Sequence, residues 1–226
     1  MGFSKLINKN IFKNLLKHYT VKKIPNLAGD REMEWTYVAA RIGRYANGHS
    51  HILDFGCGTG VLSFAAASIG ARVTAIDLMP CQFQSVFPNL EFRQIDIMSL
   101  DDRNEKYDLI LNCSTIEHVG LSGRYNARAL VDGDIEAMQK ILKLLKPGGR
   151  MILVIPVGRD MVIPPLHRIY GRERFSKLID GYKIHESSFL CKDQANVWTP
   201  CSMETALAEE GNDHYYALGM MVLEPQ

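Results

Sequence analysis

Four apolar stretches of this chain each end on residues able to bind a ligand or take part in a reaction. The first runs from His51 through Leu53 to Asp54 and opens into the turn Gly56-Cys57-Gly58-Thr59-Gly60. A second, from Arg72, stops at Asp77, and a third, from Leu90, stops at Asp96. A fourth, from Tyr107, stops at Asn112 and leads through Cys-Ser-Thr-Ile to Glu117 and His118. Closely spaced glycines allow positive φ and let a ligand approach main chain with no Cβ in the way. A carboxylate about twenty residues beyond such a turn is placed to accept hydrogen bonds from the two ribose hydroxyls of an adenosine. That residue is Asp77, and Asp96 at the next stretch end is placed to accept from the adenine amine. Asp54 would repel a pyrophosphate at the turn and suits a cationic group there.

These residues need a scaffold that brings four chain segments to one edge. The pattern supplies it. Apolar strands are predicted over 51–55, 72–76, 90–95, 107–112 and 150–156, with two more near 182–189 and 214–223. Helical spacing is predicted over 31–46, 61–69 and 130–146, with a further helix near 171–180. Strands alternating with helices argue an α/β fold with a doubly wound, mostly parallel sheet and helices on both faces. The unbroken run Met151-Ile-Leu-Val-Ile155 fits a strand buried on both sides. Ligands of such a sheet bind beyond the carboxyl ends of its strands, where all four polar ends lie.

The segment Leu53-Asp-Phe-Gly-Cys-Gly-Thr-Gly60 resembles the first motif of class I S-adenosylmethionine-dependent methyltransferases. Asp77 matches that family's ribose-binding acid, Asp96-Ile97 its adenine-binding pair, and Leu145-Lys-Pro-Gly-Gly-Arg150 the segment before its fifth strand. The resemblance covers roughly residues 35–224. It implies a Rossmann-like seven-stranded sheet of order 3-2-1-4-5-7-6 with the last strand antiparallel. It also implies S-adenosyl-L-methionine as cofactor, held by Asp54, Gly56, Cys57, Gly58, Gly60, Asp77, Leu78, Asp96, Ile97 and Asn112. A narrower similarity, in 114–121, 132–134, 155–158 and 167–170, is to a bacterial group associated with polysaccharide and other glycan gene clusters. It points to O-methylation of a small polar acceptor such as a sugar or glycan intermediate. The rival is a nicotinamide-dependent oxidoreductase. Its fingerprint, G-x-G-x-x-G, is broken here because Val61 stands at the third glycine position.

An oxygen acceptor benefits from losing its proton as the methyl arrives, and a placed base gives about 10²–10⁴-fold. His118, after the fourth strand, is the first candidate for that base. His167, beyond Pro164-Pro165, is the alternative. Glu117 would orient His118 or help hold a metal. Some relatives hold a divalent cation with Glu-x-x-Glu-His, but Ser114 replaces the first glutamate, so no metal is assigned. Arg124 and Tyr125 are candidates for sugar hydroxyls or a phosphate. Asp132 and Asp134 read as helix caps, at least one of them. Core packing is the expectation for Phe189 and Trp198.

Lys+Arg total 26 against Asp+Glu 25, so no overall field favours nucleic acid, and RNA stays a minor alternative. Five cysteines lie in separate segments, which reads as a reducing cytoplasm without a disulfide framework. Residues 1–30 form an N-terminal amphipathic helix and connector in this reading, and 31–226 the catalytic domain. Lys5, Lys9, Lys13 and Lys17 interrupt the apolar positions of 1–20, so that stretch is neither leader nor span. It would pack on the domain or, alternatively, make peripheral contact with a membrane. No run approaches the ~20 apolar residues that cross a bilayer. The acceptor's identity and the oligomeric state are not encoded in any pattern recognised.

Overall fold

The computed structural model describes residues 26–81, 87–125 and 127–226; the expected helix over 1–20 lies outside them. Helix α1 (Asp30–Tyr45) leads into β1 (His51–Phe55), α2 (Val61–Ser68), β2 (Arg72–Asp77), β3 (Leu90–Gln94) and β4 (Tyr107–Cys113). Then follow α3 (Gly133–Leu144), β5 (Leu145–Val157), the short strands β6 (Met161–Ile163) and β7 (His167–Ile169), and α4 (Arg172–Leu178). The chain ends with β8 (Tyr182–Lys192), β9 (Trp198–Cys201), α5 (Met203–Ala208) and β10 (Ala217–Pro225). The main sheet has the order β3-β2-β1-β4-β5-β10-β8-β9, and β6 and β7 form a separate hairpin. Among these pairs, β1–β2, β2–β3, β1–β4 and β4–β5 are parallel, and β10 lies antiparallel between β5 and β8.

The first seven positions of that order are the expected 3-2-1-4-5-7-6. The structure adds an eighth, the edge strand β9, antiparallel to β8. It lies between the strands predicted near 182–189 and 214–223, where no strand is predicted. The four-residue WTPC carries a proline, tolerated at an edge where no neighbour needs its missing N–H. The Lys146-Pro-Gly-Gly stretch also differs from expectation. Helix α3 ends at Leu144, and the strand begins at once, absorbing Pro147–Gly149 as a register shift against β4.

Side-chain parity shows why the sheet is covered on both faces. Leu53, Ile110, Met151, Leu153 and Ile155 pack with Ala137, Met138, Ile141 and Leu144 of α3 and with Phe175 and Leu178 of α4. Their neighbours Ile52, Leu109, Leu111, Ile152 and Val154 pack on the other side with Tyr37, Val38 and Ile42 of α1 and Leu62 and Ala66 of α2. Successive strand residues point to opposite faces, so each central strand feeds both cores. Each such fully buried aliphatic side chain contributes about 1.5–3 kcal/mol. Phe189 is buried in the first core, as expected, whereas Trp198 is only partly buried, beside the start of α1. Among the described residues no helix is long and apolar enough to cross a membrane.

Candidate active site

The carboxyl ends of β1, β2, β3 and β4 open onto one crevice of about 450 Å³. Asp54, Asp77 and Asp96 all line it, together with Gly56, Cys57, Gly58, Leu78 and Ile97. Three stretch ends, spread from Asp54 to Asp96 along the chain, therefore meet at a single place. Gly60 and Asn112 do not line the crevice. Gly60 precedes α2 with φ +78, and Asn112 is fully buried with its Oδ1 accepting from Ile116 N at 3.4 Å.

The glycine turn is held from two sides. Gly56 N and Cys57 N both donate to Ile76 O, at 2.9 and 3.1 Å, tying the turn to β2. Gly58 N donates to Asp77 Oδ2 at 3.0 Å, while Asp77 Oδ1 accepts from Met79 N at 2.9 Å. Gly56 has φ +73, and a Cβ there would fall 2.2 Å from the side chain of Thr115. At Gly58, with φ +51, a Cβ would meet open space. Gly56→Ala should therefore cost about 2–3 kcal/mol, a left-handed penalty plus a clash, and lower the melting temperature by roughly 5–10 °C. Gly58→Ala carries only the first of these. Thermal unfolding of both variants checks the difference, and equal shifts would show that Thr115 gives way.

The acids differ in their surroundings. Asp54 is buried and accepts from Ser63 Oγ at 2.5 Å. Burial pushes its carboxyl up to about 6, against the pull of the Ser63 hydroxyl. Asp96 caps the short helical turn Ile97–Ser99 by accepting from Met98 N at 2.9 Å. Cys57 is buried and its thiol is pushed up, by burial first and then by nearby Asp54.

The other half of the crevice is lined by Arg31 and Trp35 of α1, Ser114, Thr115 and His118 after β4, and Tyr125 and Arg128 of the following loop. His118 Nδ1 lies 2.6 Å from Leu166 O. A carbonyl oxygen only accepts, so Nδ1 carries the hydrogen and Nε2 keeps its lone pair. Burial lowers the imidazole to about 4, with the nearby Arg124 adding to the effect, so the ring is neutral at pH 7. The Tyr125 ring stands edge-on to it at 5.1 Å between centroids.

Glu117 and His167 lie behind this wall and do not line the crevice. Glu117 is 2% exposed, its Oε1 is 3.8 Å from His118 Nε2, and its Oε2 has no hydrogen-bond partner. Burial pushes its carboxyl up to about 8, Glu34 adds to the rise, and Arg31 and Arg124 oppose it. His167 is buried edge-on to Tyr216 at 5.3 Å, with Nε2 unpartnered and its ring held neutral, by burial first and then by Arg124.

Several residues of the site escaped the sequence reading. Glu34 is fully buried on α1. Its carboxylate accepts from Arg31 Nη1 at 2.7 Å and from the Ser114 hydroxyl, joining α1 to the end of β4. The signal was available: Glu34, Val38 and Ile42 form one i, i+4, i+8 stripe, and a charge on an apolar stripe needs a partner. Arg168, 2% exposed, donates to the carbonyls of Val119, Leu130 and Val131 at 2.5, 3.3 and 3.3 Å. It thereby pins the loop carrying His118 and Tyr125. Asp132 occupies the N-cap position of α3, though its side chain makes no capping hydrogen bond, and Asp134 is not a cap. Asp134 is buried instead and accepts from Arg174 Nε at 2.9 Å and Tyr170 OH at 3.1 Å, because α4 packs across the start of α3. Among the described residues, no group of three or more His, Cys, Asp or Glu is placed to hold a metal ion.

Residues 65–213 match the model of a family described as Caenorhabditis protein of unknown function, DUF268. The chain belongs to the DUF268 family. That family's description carries no activity, so the other comparisons bear on what a member does. A protein named ubiquinone biosynthesis O-methyltransferase from Chelativorans sp. is 30% identical over 169 residues, covering 65% of this chain and 61% of the relative. One of the same name from Xanthomonas campestris pv. campestris is 28% identical over 173 residues, covering 72% and 64%. The chain thus spans less than two thirds of the length of these curated relatives. Among solved structures, the N-methyltransferase NodS of Bradyrhizobium japonicum, in complex with S-adenosylhomocysteine, superposes with a TM-score of 0.58 at 18% identity, over 96% of this chain and 97% of that one. The 1,6-didemethyltoxoflavin-N1-methyltransferase of Burkholderia thailandensis gives 0.58 at 17% identity, over 96% and 85%. This DUF268 member has the Rossmann-like fold of the S-adenosylmethionine-dependent methyltransferases.

Proposed function

We propose that this chain is an S-adenosylmethionine-dependent methyltransferase acting in the cytoplasm on an oxygen of a small polar acceptor, such as a sugar or a glycan intermediate. The observation that carries this reading is the gathering of Asp54, Asp77 and Asp96 with the glycine turn round one crevice. That donor set suits the group: carboxylates for a ribose and an adenine amine, and a buried carboxylate for a cationic end. Asp77 would hold the ribose, Asp96 and Ile97 the adenine edge, and Asp54 with the turn at Gly56–Gly60 the amino and sulfonium end. Leu78 would flank the adenosine, and Asn112 would support the floor. When bound, S-adenosylmethionine supplies an electrophilic methyl group on its sulfonium.

The chain's own task is then to hold the acceptor in line and to take its proton. Alignment alone is worth effective molarities of about 10⁵–10⁸ M. Trp35 and Tyr125 offer aromatic faces for the acceptor, and Arg128 offers donors for hydroxyls or a phosphate, while Arg124 lies over the Tyr125 ring outside the lining. Neutral His118, oriented by its bond to Leu166 O, has an Nε2 lone pair free to accept the hydroxyl proton. Glu117, protonated at neutral pH, backs the ring. His167 lies farther from the crevice and is the second choice of base. The names of the curated relatives support an oxygen acceptor.

Calorimetry with S-adenosylhomocysteine tests the reading. Saturable binding at one site is expected and none with nicotinamide dinucleotides; the reverse would make the chain an oxidoreductase. His118→Ala should lower turnover by about 10²-fold, the low end for a general base because its low basicity limits the proton transfer. The assay follows S-adenosylhomocysteine release with an acceptor found by screening sugars. Cofactor affinity should stay within twofold, and unchanged turnover would move the role to His167.

A further inference from the structure

Cys191, near the end of β8, and Cys201, the last residue of β9, bring their sulfurs to 2.7 Å from each other. Both are free thiols. In the β8–β9 register Cys191 faces Thr199 and Cys201 faces Phe189, so the two cysteines are diagonal neighbours. Both pack with Phe189, Ala206 and Leu207, which places them on one face of the sheet. Their separation is shorter than the roughly 3.5–4.0 Å of ordinary non-bonded heavy atoms. It is longer than the ~2.04 Å of a sulfur–sulfur bond, so bond formation needs only a small approach. Cys191 is buried and Cys201 is partly open on the edge strand. Ten residues apart in sequence, the two were expected to stay independent, and the unforeseen strand β9 is what joins them.

We propose that Cys191 and Cys201 are a reversible dithiol–disulfide pair, closed by a small-molecule disulfide such as oxidised glutathione, that clasps edge strand β9 to β8. This goes beyond the methyltransferase reading and stands without it. In the first step the more accessible Cys201 thiolate attacks one sulfur of glutathione disulfide. A Cys201–glutathione bond forms, the glutathione sulfur–sulfur bond breaks, and one glutathione thiolate leaves and takes up the proton. In the second step the Cys191 thiolate attacks the Cys201 sulfur, the bond to glutathione breaks, and the second glutathione leaves as thiol. Two protein thiols are oxidised to one disulfide, and one glutathione disulfide is reduced to two thiols.

The clasp lies where it can steady the crevice. Trp198, at the other end of β9, donates from its indole to Ala28 O at 3.1 Å. Lys192, beside Cys191, donates to the same carbonyl at 2.7 Å and lies over the Trp198 ring. Ala28 leads directly into α1, which carries Arg31, Glu34 and Trp35. Fixing β9 to β8 therefore restrains the segment that starts one crevice wall.

The test equilibrates the full chain with oxidised glutathione, blocks remaining thiols with N-ethylmaleimide, and maps tryptic peptides by mass spectrometry. Trypsin cuts after Lys192, between the two cysteines. A linked pair of peptides 184–192 and 193–226, two hydrogens lighter than their sum, is expected, and dithiothreitol should separate it. Cys57, buried at the glycine turn in the core on the other side of the sheet, is the internal control and should carry neither bond nor glutathione. Cys191→Ser should trap glutathione on Cys201. Hydrogen exchange at 198–201 should slow by about tenfold in the linked form, reflecting fewer openings of the edge. Full maleimide labelling of both cysteines in the native chain after oxidation would overturn the proposal. So would a stable glutathione adduct on Cys201 with Cys191 intact.

Discussion

Asp77→Ala should weaken binding of S-adenosylhomocysteine by about 10²–10³-fold, equivalent to some 3–4 kcal/mol. The expectation rests on two tasks met by one carboxylate. Hydrogen bonds to a charged group are worth about 1.5–3 kcal/mol each, and a ribose offers two hydroxyl donors. The same carboxylate already accepts from Gly58 N at 3.0 Å and from Met79 N at 2.9 Å, so it also fixes the turn beside which the ligand lies. Alanine removes both tasks. Asp77→Asn keeps one acceptor oxygen and turns an amide toward the remaining donors, so an intermediate loss of about tenfold is expected. Calorimetric titration of the three proteins decides it. An alanine variant within threefold of the native chain would detach Asp77 from the ribose and leave it a purely structural support of the turn.

The part of the site that Asp77 belongs to was legible because its signals are local. An apolar run that stops on an acid reports a strand end. Four such ends in an alternating pattern must share one edge of a parallel sheet, whatever the loops do. The opposite half was illegible because its signals are tertiary. Glu34 lies about eighty residues before the Ser114 hydroxyl that it accepts from, and only the packing of α1 against β4 brings them together. Arg168 is a surface residue by type, yet its guanidinium is buried among backbone carbonyls of the 119–131 loop. Strand β9 was missed for a related reason. A four-residue edge strand with a proline has no periodicity of its own, and its partner β8 supplies the order. The pairing of Cys191 with Cys201 went unseen with it.

Glu117 gives the second large effect, in stability. Its carboxyl is buried, its Oε2 has no hydrogen-bond partner, and burial raises it from an ordinary 4.5 to about 8. A carboxyl raised on folding makes the folded chain hold a proton that the unfolded chain has released, across the window from 4.5 to about 8. Stability at this site is therefore fully present below pH 4.5 and falls as pH rises through that window, levelling off above about 8. Glutamine at this position has a similar shape and cannot ionise. Glu117→Gln and the native chain should be nearly equal in stability at pH 4.5, and the variant should gain with rising pH. The gain reaches on the order of 3–5 kcal/mol by pH 8.5, at about 1.4 kcal/mol per pH unit of the raised window. Urea unfolding at pH 4.5, 6, 7 and 8.5 measures it, and parallel curves for the two proteins would mean that Glu117 is solvated or paired when the chain is in solution. A persistent cost of that size is what a fold tolerates where a neutral acid is needed. Here it stands 3.8 Å from the Nε2 of His118. An ionised Glu117 would instead raise the basicity of that ring and draw a proton onto it, closing the lone pair needed for an acceptor hydroxyl.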